Sequence, residues 1–129
     1  MKQWLLVLVM LGLFSMLISC ANSGNSSGGT GGDPKEVHTR GASFVQASIT
    51  IPKGSMLTLV DDDATLHIID NGSWINGAPT PAHESGTPTV SNMQLSNGGS
   101  IQIGPFNTSG TYHLYCTIHP DMNLTIQVQ

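Results

Sequence analysis

A chain of 129 residues, part of it given over to targeting, is expected to form one folded domain. Only 9% of its residues are charged and 5% aromatic, and β-branched side chains recur in short alternating runs, which argues against long helices and for an all-β fold. The formal net charge of −4 argues against nucleic acid as a partner.

Residues 1–19 read as a signal peptide, in which Lys2 precedes an apolar run from Trp4 to Ile18 that is short for a membrane span. The run ends in Leu17-Ile18-Ser19-Cys20, which resembles a bacterial lipobox. Cys20 is therefore expected to become the lipid-modified N-terminus of an extracytoplasmic protein held to the membrane, at the cell surface or in the periplasm. Ordinary cleavage after Ala21 is the competing reading and would release a soluble, secreted form. Residues 20–35 are dominated by Asn, Ser, Gly and Thr, which cannot bury apolar surface; they are expected to form a flexible tether with an r.m.s. reach of roughly 20 Å. The folded domain is expected over residues 36–129. With Cys20 lipidated or removed, Cys116 has no disulfide partner, and a free thiol in an oxidising compartment calls for a chemical reason.

Within the domain the first clear strand is predicted at Ser43 to Ile51, closed by the turn Pro52-Lys53-Gly54, and the next at Met56 to Val60. Asp61-Asp62-Asp63 breaks that strand and reads as a solvated turn, since it lacks the rest of a calcium loop. A short apolar run from Leu66 to Ile69 contains His67, and Asn71-Gly72 is expected to turn the chain. Residues 70–89 hold several Pro and Gly and no sustained period, so a long surface loop carrying Trp74 and His83 is predicted. Further strands are expected at Thr89 to Leu95, Ser100 to Ile103, Thr111 to Cys116 and Asn123 to Val128. Seven or so short strands in about 95 residues suggest a Greek-key antiparallel β-sandwich. Alternation along the strand ending at Cys116 puts Tyr112 and Leu114 inward and His113 and Tyr115 outward, which leaves Tyr115 exposed.

The chemistry concentrates in Cys116-Thr117-Ile118-His119-Pro120-Asp121-Met122, where a thiol, an imidazole and a thioether recur at three-residue spacing between two strands. A loop can wrap one ion in this way, and soft sulfur ligands with imidazole suit copper, whereas zinc rarely recruits methionine. A trigonal site needs a second histidine. Among His38, His67, His83 and His113, His67 is the best placed, and the other three read as surface residues.

The segment from Gly110 to Met122 resembles the copper-binding end of plastocyanin- and amicyanin-type cupredoxins, with the shorter, amicyanin-like Cys-x-x-His-x-x-Met spacing, and Asp63-Ala64-Thr65-Leu66-His67 resembles the stretch that carries their first histidine ligand. The resemblance implies a cupredoxin-like sandwich holding one copper through His67, Cys116, His119 and an axial Met122. It also implies a monomeric one-electron carrier, not an enzyme, that meets redox partner proteins through an apolar face near His119, Pro120, Ile118 and Leu66. The chain departs from the family pattern at Ile68, where many members have an Asn that bonds to the residue after the cysteine, and at Asp121, where glycine is common. A copper-delivery protein and a metal-free surface interaction module are the alternatives.

Overall fold

The computed structural model describes residues 35–129; the expected signal peptide, Cys20 and nearly all of the tether lie outside the described residues. Among the described residues there are ten strands and no helix: β1 (Glu36–Arg40), β2 (Ser43–Phe44), β3 (Ser48–Ile51), β4 (Leu57–Asp61), β5 (His67–Ile75), β6 (Ala78–Pro81), β7 (Met93–Leu95), β8 (Ser100–Ile103), β9 (Gly110–Cys116) and β10 (Asn123–Val128). They form two sheets, one ordered β2-β1-β4-β8 and the other β3-β10-β9-β5-β6 with β7 also on β5.

Alternation builds the core. Val37, Leu57 and Leu59 from one sheet and Ile51, Ile69, Leu114, Leu124 and Ile126 from the other are fully buried in one apolar cluster with Phe106. Each such side chain contributes about 1.5–3 kcal/mol by leaving water. The sandwich is as expected, but not every pairing is antiparallel: β1 runs parallel to β4, and β3 parallel to β10. Parallel partners cannot be joined by a tight turn, so their pairing leaves no local mark in the sequence.

The predicted strand from Ser43 to Ile51 is two strands in different sheets. β2 pairs with β1 and β3 with β10, so residues 45–47 carry the chain across the sandwich. The predicted loop 70–89 is also corrected. β5 runs on through Asn71 and Gly72 to Ile75, and the turn falls instead at Asn76-Gly77, both with positive φ (52° and 75°), as a two-residue hairpin requires. β6 returns along β5 from Ala78.

Gly72 makes that hairpin possible. Its φ is +127°, and a Cβ there would overlap Thr80 O and lie 2.8 Å from Ala82 N and 2.9 Å from Pro81 Cα. The main chain of β6 therefore lies directly against Gly72, an approach open only to glycine. The segment that follows is pinned by Asn71, whose side chain accepts from Val90 N (2.7 Å) and donates to Pro88 O (3.2 Å).

The hairpin overturns one expectation about faces. Tyr115 points outward from β9 but is only 2% exposed, because Trp74 packs edge-on against it with ring centroids 6.3 Å apart. Burial and Asp70 hold its hydroxyl above the ordinary tyrosine pKa range. A strand covered on both faces does not alternate between wet and dry, and nothing local to 110–116 reports that cover.

Candidate metal centre

β5 begins with His67 and β9 ends with Cys116, and the antiparallel pairing of these strands, with Ile69 opposite Cys116, sets the two residues at one end of the same sheet. The seven-residue loop from Cys116 to Met122 then brings His119 back to Cys116. His119 Nδ1 lies 3.4 Å from Cys116 Sγ, and the His67 and His119 rings meet edge to face at 5.0 Å between centroids. One donor atom from each of His67, Cys116 and His119 lies within 4.8 Å of the other two. Donors bonded to one ion at about 2.0–2.3 Å stand roughly 3.3–4.0 Å apart at tetrahedral or trigonal angles, so donors already within 4.8 Å have little distance left to close.

Met122, the fourth predicted ligand, is buried at 2% exposure, and its main chain closes the loop: Cys116 N donates to Met122 O (3.1 Å) and Met122 N to His119 O (3.3 Å). Asp121 takes the sharp corner with φ +61°, which explains why glycine suits this position. Its side chain is exposed. The missing Asn at Ile68 does not leave the ligand segments untied, because Thr117 N donates to Ile68 O at 2.8 Å. Here the main chain supplies the tie.

His67 carries the strongest chemical signal. It is fully buried, and neither ring nitrogen has a hydrogen-bond partner. A buried imidazole without a partner is costly, so the ring calls for a ligand that the protein does not supply. Burial, reinforced by His119, lowers its pKa below the ordinary histidine value, against smaller opposing effects of Asp61 and Asp63. A neutral ring keeps a lone pair available for a metal. A thiol, two imidazoles and an adjacent thioether match copper better than zinc or a hard cation.

The acidic turn before His67 is a scaffold. Buried Asp61 accepts from Gly98 N (2.9 Å) and Asp63 N (3.3 Å), and Asp63 accepts from Gly41 N (2.6 Å) and Thr65 N (3.3 Å). Asp62 meets His38 Nδ1 at 2.7 Å and Arg40 at 3.4 Å. Carboxylates occupied with N–H donors, His38 and the Arg40 guanidinium fix the loop that delivers His67.

The other histidines stay away from the centre. His38 pairs with Asp62, His113 with Glu84 at 2.6 Å, and His83 is exposed in the segment after β6. Sequence reasoning missed Trp74 and Asn123. Trp74 Nε1 donates to Cys116 O at 2.8 Å, and the Asn123 carboxamide bonds to both the N–H (2.7 Å) and the C=O (3.1 Å) of Trp74. The available signal was Asn76-Gly77, a hairpin dipeptide that would have placed Trp74 in a strand.

The sequence matches no family model and no curated protein. The structure, however, resembles solved ones. A reduced copper(I) form of an amicyanin variant superposes with a TM-score of 0.56 at 16% identity, covering 73% of this chain and 80% of that one. A purple cupredoxin from Nitrosopumilus maritimus gives 0.54 at 20% identity, over 73% and 98% of the two chains. A copper-containing nitrite reductase from Thermus scotoductus gives 0.55 at 24% identity, but the match spans only 22% of that larger chain. The architecture is the cupredoxin fold, and it carries a cluster of donors that fits a type 1 copper site.

Proposed function

We propose that this protein carries single electrons outside the cytoplasmic membrane through one copper ion held by His67, Cys116, His119 and Met122. The observation that carries the reading is the fully buried, unpartnered imidazole of His67 within 4.8 Å of the donors of Cys116 and His119. Copper bound there would supply a one-electron couple between its two oxidation states. The chain's part is to hold its donors still. His67 is fixed by the start of β5, Cys116 by the end of β9, and the two segments by the Thr117–Ile68 main-chain bond, so little has to move when charge changes.

Electron exchange needs a close approach to another redox protein. Leu66 and Ile118, each next in the chain to a proposed ligand, are both 47% exposed, and His119 is half-buried beside Ile118. They support an apolar docking face through which the edge of His119 meets a partner. The lipobox-like Leu17-Ile18-Ser19-Cys20 and the bland tether support a domain anchored at Cys20 and free to reorient, with release as a soluble form as the alternative. A one-electron couple at this donor cluster needs no substrate, which supports a carrier, although one structural neighbour is an enzyme.

The test is to express the chain from Ala21, add one equivalent of Cu(II), and record visible absorption and electron paramagnetic resonance spectra for wild type and Cys116→Ala. An intense thiolate-to-copper band, absent in the variant and accompanied by a reversible one-electron couple, is the expected result. A folded protein without the band would leave a metal-free interaction module, and rapid loss of copper to a competing chelator would favour delivery over electron transfer.

A further inference from the structure

The loop from Cys116 to Met122 is held at both ends by one residue of the β5–β6 hairpin. β5 pairs with β9 as far as Asn71 opposite Leu114, and then bends away at Gly72 under the main chain of β6. Two residues on, Trp74 stands opposite Pro79 on the β6 side, and its N–H and C=O find no strand on the other. Main-chain polar groups that are partly buried need partners. The carboxamide of Asn123, the residue immediately after Met122, takes the place of the missing strand by bonding to both.

The side chain of the same tryptophan reaches the other end of the loop, where its indole N–H donates to the carbonyl of Cys116. The ring is itself seated on Tyr115, the residue before Cys116, and Tyr115 stands opposite Asn123 across β9 and β10. Trp74, Tyr115 and Asn123 thus close a ring around the start and finish of the ligand loop. Inside that ring the loop's own main-chain bonds are those from Cys116 to Met122 and from Met122 to His119.

We infer that Trp74 and Asn123 are positioning residues for the metal centre: together they clamp the entry and exit of the 116–122 loop and so hold Cys116 and Met122 at a fixed separation. The inference rests on the copper reading for its spectroscopic consequences, but not for its mechanical one. A clamp of neutral hydrogen bonds, shielded by the hairpin, holds the loop whether or not an ion is bound.

Two substitutions separate the parts. Trp74→Phe keeps a ring against Tyr115 and removes the indole N–H; Asn123→Leu keeps the size and removes both bonds to Trp74. Asn123→Asp keeps the acceptor but loses the donor, and is expected to fall between Leu and wild type. In the metal-free protein, amide hydrogen exchange at Cys116 and Met122 should rise roughly five- to tenfold in either of the first two variants, with the amides of β4 and β8 unchanged. In the copper-loaded protein the relative intensities of the visible bands and the copper hyperfine splitting should both shift, since these report the Cys116 and Met122 geometry. General destabilisation would instead speed exchange across β4 and β8 as well, and that result would reduce the two residues to ordinary packing.

If wild type shows the thiolate band while both variants keep wild-type exchange and spectra, the clamp is wrong and the copper site stands. If wild type shows no band, the copper reading fails, and the exchange measurement alone still decides whether Trp74 and Asn123 hold the loop. If Trp74→Phe does not fold, Asn123→Asp supplies the same comparison from the milder side.

Discussion

Two loops deliver the proposed ligands, and they are held by opposite means. The loop before His67 is a cluster of charge, in which Asp61 and Asp63 gather main-chain N–H groups from Gly98, Gly41 and Thr65, and Asp62 pairs with His38. The loop from Cys116 to Met122 is tied by neutral groups: main-chain bonds inside it, the Thr117–Ile68 bond beside it, and the indole of Trp74 on its first carbonyl. The difference teaches where each loop is vulnerable. Acid should loosen the first and leave the second, whereas a disturbed hairpin should do the reverse.

The sharpest way to break the second loop without touching it is Gly72→Ala. A Cβ would collide with the main chain of Thr80, Pro81 and Ala82 in a conformation with φ +127°, so the hairpin must lift. We expect a loss of about 3 kcal/mol in urea denaturation of the metal-free protein, with weakened copper retention. An unchanged midpoint would show that β6 is not packed on Gly72 as described.

Asp61→Ala attacks the first loop. It leaves the N–H groups of Gly98 and Asp63 without their acceptor at a site only 2% exposed, and should cost about 1–3 kcal/mol in the same measurement. Hydrogen exchange at the Cys116 and Met122 amides should remain at the wild-type rate if the loops are independently held. Faster exchange there would merge them into one unit.

Asp121→Gly should act in the opposite direction. Its φ of +61° disfavours a residue with a Cβ, so glycine should raise stability by up to about 1 kcal/mol, offset in part by the freedom glycine adds to the unfolded chain. A loss of stability would mean that the exposed carboxylate contributes to the loop in a way its backbone does not reveal.

The smallest effect concerns Asp62. Its hydrogen bond with His38 lowers its pKa below the ordinary aspartate value. A carboxyl whose folded pKa is depressed contributes stability that is present above its unfolded pKa of 3.8 and is lost as pH falls through the lower folded value. A nuclear magnetic resonance titration of the Asp62 carboxyl carbon should give a midpoint below 3.8 in wild type and closer to 3.8 in His38→Ala. Equal midpoints would remove this pair from the acid sensitivity of the first loop.

Much of the site was legible because it is local. Cys116, His119 and Met122 sit within seven residues, and the three-residue spacing that suggested one ion is what the loop uses to return His119 to Cys116. His67 was selected by elimination among the histidines, and the fold buries its ring with neither nitrogen hydrogen-bonded and His119 beside it. Asp61-Asp62-Asp63 was read as a solvated turn, whereas Asp61 ends β4 and is 2% exposed; its part as the scaffold of His67 was not legible because the Gly98 and Gly41 amides it gathers lie 37 and 22 residues away. Tyr115 was placed on the exposed face for a similar reason: the alternation on β9 was correct, and the cover came from Trp74, 41 residues earlier on the hairpin.

The amino-acid sequence alone determined the class of fold, the strands at Ser100–Ile103 and Asn123–Val128, and the donor types around the proposed ion, since alternation, turn residues and ligand spacing act over a few neighbouring residues. Only the tertiary structure decided that β1 and β4 run parallel, that the chain from Ser43 changes sheets, and that Trp74 and Asn123 stand at the two ends of the ligand loop. Those features depend on main-chain groups that must find partners across the whole sandwich, a demand that no short stretch of sequence expresses.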